Sequence, residues 1–494
     1  MYLRALNAHG VGGYAPTPVM VFNSLQYLVF FPLVFVVYWQ LKRRGQNILL
    51  LAASWFFYAL WDWRFLGLML LTTGVDFAVG RYLAMEEDDR KRKLAFGLSM
   101  ALNLAVLGFF KYFDFFIGSA ADLLRAAGFD ASEPTLRILL PIGISFYTFH
   151  GISYTFDVYR RDIQAAKSLL DFAVFVAFFP QLVAGPIGRA HIQLPQFEND
   201  RAPLRADQVK SGLALILLGL FKKVAIADAL APFVDETFSN ATSSSWLVLL
   251  AGAYAFGLQI YGDFAGYSDV ARGSSRLLGI ELPLNFEQPY LSRNITVFWR
   301  TWHISLSNWL RDYLYIPLGG NRGGTSTTYR NLMLTMVLGG LWHGAAWTFV
   351  AWGTLHGLYL CAHRAFTERP GGAGSAHNQV GRFTRSDVLP AIGTFQLVVF
   401  AWIFFRAADF TQAFEVITGI LTFQGGTTDP GAVFLVVLLG AVTIAIDVAQ
   451  RNRGTHTPML ELSPVLQGAL YGLFVVAIVL FSGGETVPFI YFQF

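Results

Sequence analysis

Two histidines set beside tryptophans, in Trp299-Arg-Thr-Trp-His303 and Leu341-Trp-His343-Gly344, are the side chains of this chain best suited to chemistry. An imidazole titrates near neutral pH, so it can take a proton and return it. Burial disfavours its charged form, and a neutral imidazole is a base. A covalent acyl-histidine fits the same residues, and both readings stay open. Asp312, Asp263 and Trp342 are the candidates for orienting or supporting the pair. Asp312 can also simply pair with Arg311 or Arg322 at a helix end, and Asp263 can serve a core network. His150, His356 and His363 read as structural core histidines. Cys361 is the only cysteine, which rules out an intramolecular disulfide and a thiolate metal cluster. His343, His356 and His363 have no carboxylate at ligand spacing, so no metal is expected.

The elements that must hold these residues are those of a membrane protein. Of 494 residues 54% are hydrophobic, 16% aromatic and 14% charged, against roughly 25% charged in soluble domains. Apolar runs approaching the roughly 20 residues of a bilayer crossing fall at 25–41, 47–61, 64–83, 94–117, 137–158, 211–231, 246–268, 331–349, 350–363, 388–406, 431–449 and 465–481. The expected fold is all-α and polytopic, with about 11–12 transmembrane helices in one domain over 20–494. The run at 350–363 is short for a crossing, and Lys222 and Lys223 interrupt the run at 211–231. Residues 1–19 lack the apolar core of a signal peptide and are expected to be disordered, or to precede a true start at Met20.

Basic loops, such as Lys42-Arg-Arg44 and Arg90-Lys-Arg-Lys93, alternate with loops carrying Asp122, Asp130, Asp235, Glu236, Asp409 and Asp429. By the positive-inside rule the basic loops are cytoplasmic. The net charge of +4 is spread over these short loops, which is an orientation signal and not a nucleic-acid footprint. The prolines of Phe179-Pro-Gln-Leu-Val-Ala-Gly-Pro186 make 168–186 a re-entrant segment. Apolar spacing predicts an amphipathic helix over 297–315, ended by Gly319-Gly-Asn-Arg-Gly-Gly324, and a flexible loop over 370–375. Counted from Asn331 at about 1.5 Å per residue, His343 lies about 18 Å deep, with His303 on the cytoplasmic side.

With Leu140-Pro-Ile-Gly-Ile-Ser, Tyr261-Gly-Asp-Phe-Ala-Gly-Tyr-Ser-Asp269 and Asp312-Tyr-Leu-Tyr-Ile-Pro-Leu-Gly-Gly-Asn-Arg322, the motifs resemble the membrane-bound O-acyltransferase family, in its bacterial exopolysaccharide branch. The resemblance implies a ring of transmembrane helices around a thinned centre, in the bacterial inner membrane. It implies that His343 is catalytic, with His303 the other prominent candidate. It further implies a cytoplasmic thioester donor, acetyl-CoA as co-substrate, and O-acetylation of an exported polysaccharide such as alginate. Extracytoplasmic acetyltransferase or esterase-like partners would complete the transfer. On this reading Arg311, Arg322 and Arg330 are candidates for the CoA phosphates, against lipid headgroup anchoring or topology control.

Two other classes compete. Broken apolar segments and buried histidines also occur in transporters, so a conduit for acyl groups without catalysis is one. An acyltransferase acting on peptidoglycan, teichoic acid, lipid or protein is the other.

Overall fold

The computed structural model describes residues 20–130, 136, 138–182, 185–367, 380–483 and 489–490. The segment 1–19 and the loop at 370–375 lie outside the described residues. Secondary structure among the described residues is helical, apart from one isolated bridge between Ser244 and Thr427. Packing divides the chain into two compact units, one of residues up to 206 with 274–283, the other of 207–273 with 284–492.

The first unit contains α1 (Leu25–Tyr38), α2 (Arg43–Asp62), α3 (Arg64–Met85), α4 (Asp89–Leu107), α5 (Phe113–Ala126), α6 (Ile144–Arg160), α7 (Leu169–Ala177), α8 (Phe179–Leu182) and α9 (Ala190–Glu198). A π-helical turn at Gly108–Tyr112 joins α4 to α5 without a break. Starts are set by short polar side chains that satisfy free amides. Ser24 accepts from Tyr27 N (3.2 Å), Asp88 from Arg90 N (2.8 Å) and Ser168 from Asp171 N (3.3 Å). The apolar segment expected to be broken is indeed broken, at Phe178 between α7 and the single turn of α8. Every described residue from Asp171 to Leu182 is buried. Several buried polar groups of this unit pair with one another. Asp76 accepts from Ser99 (2.7 Å) and Asn103 (2.9 Å), and Asn47 donates to Asp171 (2.6 Å) and the Phe197 carbonyl (2.9 Å).

The second unit contains α10 (Ala206–Leu220), α11 (Ala229–Ser239), α12 (Trp246–Leu277, whose last turn counts with the first unit), α13 (Ile295–Thr301), α14 (Ile304–Leu310), α15 (Gly324–His343), α16 (Trp347–Thr367), α17 (Val388–Arg406), α18 (Phe410–Leu421), α19 (Pro430–Arg453) and α20 (Pro464–Phe481). π-Helical turns at Phe221–Asp228 and Arg311–Tyr315 join α10 to α11 and extend α14. Six described helical stretches have the length and apolar composition to cross a bilayer: Arg64–Met85, Asp89–Ala126, Trp246–Leu277, Arg385–Arg406, Pro430–Arg453 and Pro464–Phe481. The protein is therefore a multi-pass membrane protein. The helices α2, α15 and α16 have the length without the apolar composition. The run at 350–363, short as read from hydropathy, belongs to the 21-residue α16.

Two expected elements are corrected. The helix expected over 297–315 is broken at Trp302 and His303, where the backbone turns out of helical geometry before α14 begins. The run at 331–349 is not one span: its helix starts at Gly324 and ends at His343, and a three-residue turn leads into α16.

Candidate active site

His303 occupies the break between α13 and α14, with φ 41° and ψ 54°, in the left-handed region that a residue with a Cβ rarely adopts. That conformation costs of order 1–2 kcal/mol and needs to be held from outside. Asn285 holds it. Its carbonyl accepts from Ile304 N (2.9 Å), and its side-chain oxygen accepts from Ser305 N (3.4 Å) and Ser305 Oγ (2.9 Å). The Asn285 amide in turn donates to Ser268 of α12 (3.2 Å). Asn285 thus caps α14 in place of the cap residue itself, which leaves the His303 ring to pack edge-on against Phe264, 4.5 Å between centroids.

His343 is the last residue of α15, and the motif around it is a device for close approach. A Cβ on Gly340 would lie 2.3 Å from the Phe349 carbonyl oxygen, and one on Gly353 would lie 2.3 Å from that of Met336. Glycine at both places lets α15 and α16 form a tight hairpin. A Cβ on Gly344 would lie 2.2 Å from the Phe349 ring, so the residue after His343 must also be small. The hairpin brings the His343 ring to 6.1 Å from that of His303. Both residues are buried, at 3% and 0% exposure. Trp342 touches both rings, with centroids 5.1 Å from His343 and 5.9 Å from His303. Trp352 (5.0 Å) and Phe405 (5.4 Å) close the other sides of His343.

A third histidine completes the cluster. His356 packs 4.8 Å from Trp352, and its Nδ1 accepts from Trp299 Nε1 at 3.2 Å. An indole nitrogen only donates, so neutral His356 carries its proton on Nε2. That Nε2, with the indole nitrogens of Trp302 and Trp352, is buried without a hydrogen-bond partner among the described residues. Burial among rings pushes His303, which lies between the long helices, down to about 3, so it is a neutral imidazole at physiological pH.

Beside this aromatic box runs a chain of buried ions. The π-helical turn Phe221–Asp228 turns two adjacent lysines inward: Lys222 meets Asp269 (2.8 Å), and Lys223 meets Asp228 (2.7 Å) and Asp263 (2.9 Å). Asp263 also accepts from Ile490 N (2.7 Å) in the C-terminal segment, and Tyr261 donates to Asp447 (2.9 Å). Lys222, Tyr261, Ser268, Asp269, Arg272 and Asn285 line a crevice of about 10 Å³, room for one water.

Of the residues singled out by sequence, His303, His343 and Trp342 come together. Asp263 belongs to the ion chain. Asp312 pairs with Arg311 (2.6 Å), which holds the guanidinium above its usual value. Arg311, Arg322 and Arg330 are exposed around the turn that precedes α15, and Arg330 donates to Asn331 (3.1 Å). His150 belongs to the first unit, where its Nε2 accepts from Gly188 N (3.0 Å). His363 shares a hydrogen bond with Thr296 (2.9 Å). Among the described residues no group of three His, Cys, Asp or Glu side chains is placed to hold a metal. Sequence reasoning missed Asn285, and it set His356 aside as structural; the spacing Trp352-Gly-Thr-Leu-His356, one helical turn, was the available signal.

The sequence profile of the membrane-bound O-acyltransferase family matches residues 159–369. The probable alginate O-acetylase AlgI of Azotobacter vinelandii is 42% identical, over 83% of this chain and 79% of that protein. That of Pseudomonas putida is 39% identical, over 96% of this chain and the whole of that protein. The peptidoglycan O-acetyltransferase of Helicobacter pylori is 36% identical, over 82% of this chain and 81% of that protein.

Proposed function

The chain belongs to the membrane-bound O-acyltransferase family and is an O-acyltransferase, and from that premise we propose that it moves acetyl from cytoplasmic acetyl-CoA for O-acetylation of an exported polysaccharide, alginate or a close relative of it. The observation that carries the chemistry is the pair His303–His343, with ring centroids 6.1 Å apart inside an aromatic box. His343 takes the proton of the acceptor hydroxyl as its oxygen bonds to the thioester carbon. The carbon–sulfur bond then breaks, and the thiolate leaves and takes up a proton. The C-terminal end of α15 carries partial negative charge, which stabilises the imidazolium formed at His343. Neutral His303 is the second hydrogen-bonding group. The N–H groups of His356, Trp302 and Trp352, without a partner among the described residues, are suited to an oxygen of the acyl group.

The exposed Arg311, Arg322 and Arg330 are the proposed contacts for the CoA phosphates. The bacterial inner membrane is the proposed site of action, and extracytoplasmic partner proteins carry the acetyl group to the polymer. Alginate is preferred because the AlgI relatives match the chain at higher identity than the peptidoglycan enzyme. The purified protein, supplied with radiolabelled acetyl-CoA and extracytoplasmic partners, should label alginate oligosaccharides in preference to peptidoglycan fragments. Labelling of peptidoglycan fragments alone would overturn the acceptor, and no release of CoA with any acceptor would overturn the donor.

A further inference from the structure

We propose that the first unit carries a binding site for the phosphate-bearing headgroup of an anionic phospholipid, in the groove where α3 and α6 end and α4 begins. The groove has a volume of about 440 Å³ and is lined by Asp89, Arg90, Arg92, Lys93, Tyr159, Arg160 and Arg161, five cations against one acid. It is a built site. Arg92, only 4% exposed, donates to the carbonyls of Leu83 and Glu86 (3.3 Å) at the end of α3 and of Val158 (3.5 Å) and Tyr159 (2.8 Å) at the end of α6. One guanidinium therefore ties two helix C-termini to the start of α4, where its charge also suits their partial negative ends. Arg161 then turns the chain out of α6 with φ 66°, and Arg160 lies over the Phe156 ring at 4.7 Å.

With the Arg92 donors engaged on carbonyls, Arg90, Lys93, Arg160 and Arg161 are the cations the groove exposes. Nearby Lys91 is neutralised by Glu86 (3.7 Å), and of the residues that line the groove Asp89 is the acid. Such a concentration of positive charge is matched by an anion. What selects a lipid over a soluble phosphate is the continuation of α4. Arg90, Leu94 and Leu98 stand at i, i+4 and i+8, one face of one helix, and Leu94 and Leu98 are 65% and 61% exposed. Met85, 71% exposed, ends the adjoining α3. Both stretches are apolar and long enough to cross a bilayer. Cations at the head of an exposed apolar stripe match a charged headgroup above acyl chains, the arrangement of basic sites at membrane surfaces.

Native mass spectrometry of the detergent-purified full chain tests this, with phosphatidylglycerol, phosphatidylcholine and inorganic phosphate as probes. Phosphatidylglycerol should bind at least tenfold more tightly than phosphatidylcholine. Neutralising Arg90, Arg160 and Arg161 together as Gln should weaken it on the order of a hundredfold, whereas Asp89→Asn should strengthen it severalfold. Leu94→Gln with Leu98→Gln should weaken the lipid and leave any phosphate binding unchanged. Equal binding of the two lipids would overturn the site. Asp89→Asn without effect would overturn it too, even if the triple variant fails to fold. Competition by millimolar phosphate as strong as that by a short-chain phosphatidylglycerol would replace the lipid with a soluble anion.

Discussion

His150 and the pair His303–His343 are all buried histidines, yet their surroundings differ in kind. The Nε2 of His150 accepts a backbone hydrogen bond from Gly188, and its ring packs against Phe175. His303 and His343 stand ring against ring within a wall of tryptophan and phenylalanine, beside three N–H groups with no partner among the described residues. His150 is held in place by a backbone amide, whereas the pair is held by rings. What sets the pair apart is a second imidazole beside the first, with N–H donors next to both.

Removing each kind should separate them most sharply. His343→Ala should lower acyl transfer by about 10²- to 10⁴-fold, the usual contribution of a positioned acid–base group, with the melting temperature in detergent little changed. His150→Ala should lower the melting temperature and leave the turnover of the folded fraction near wild type. Equal loss of turnover in both variants would dissolve the distinction. The ion chain comes next. Lys223→Met leaves Asp228 and Asp263 buried beside an apolar side chain and should destabilise by ~3–5 kcal/mol, read from thermal unfolding. Adding Asp228→Asn and Asp263→Asn should restore part of that stability. No restoration would mean that packing, and not charge, makes Lys223 matter.

These contrasts also mark what the sequence could and could not convey. Hydropathy located most long helices because a bilayer crossing demands an apolar run, and Trp302-His303 and Trp342-His343 stood out because imidazole is costly there. Hydropathy misplaced the end of α15, since Gly344-Ala-Ala346 is apolar and reads as a continuation; the helix ends at His343, and Phe349 packs onto the Gly344 that follows. It also ran a single helix through His303, because the break depends on Asn285, which lies 18 positions earlier and acts through space. Lys222 and Lys223 counted against a span for the same reason. Their partners Asp269 and Asp263 lie on α12, and nothing in the local composition announces them. The hairpin itself offers a middle-sized test. Gly340→Ala forces a methyl against the Phe349 carbonyl and should cost ~1–3 kcal/mol, with a loss of turnover as the two histidine rings part. Unchanged turnover would show that the hairpin is not what positions His343.

A pH comparison tests whether His303 is as dry as its packing implies. Its folded-state value near 3 lies below the roughly 6.5 of an unfolded histidine. Unfolded chains therefore bind a proton that the folded chain refuses. Stability from this site is fully present above pH 6.5 and is lost as pH falls from there towards 3. The loss is about 0.8 kcal/mol at pH 6 and about 1.4 kcal/mol for each further unit. Between pH 7 and pH 5 the melting temperature of the wild type should fall further than that of His303→Gln, which has nothing to protonate at this position. Parallel slopes would mean that water reaches the ring. The box would then be an open vestibule, and the leftover N–H groups of His356, Trp302 and Trp352 would be hydrated and no longer held ready for an acyl oxygen.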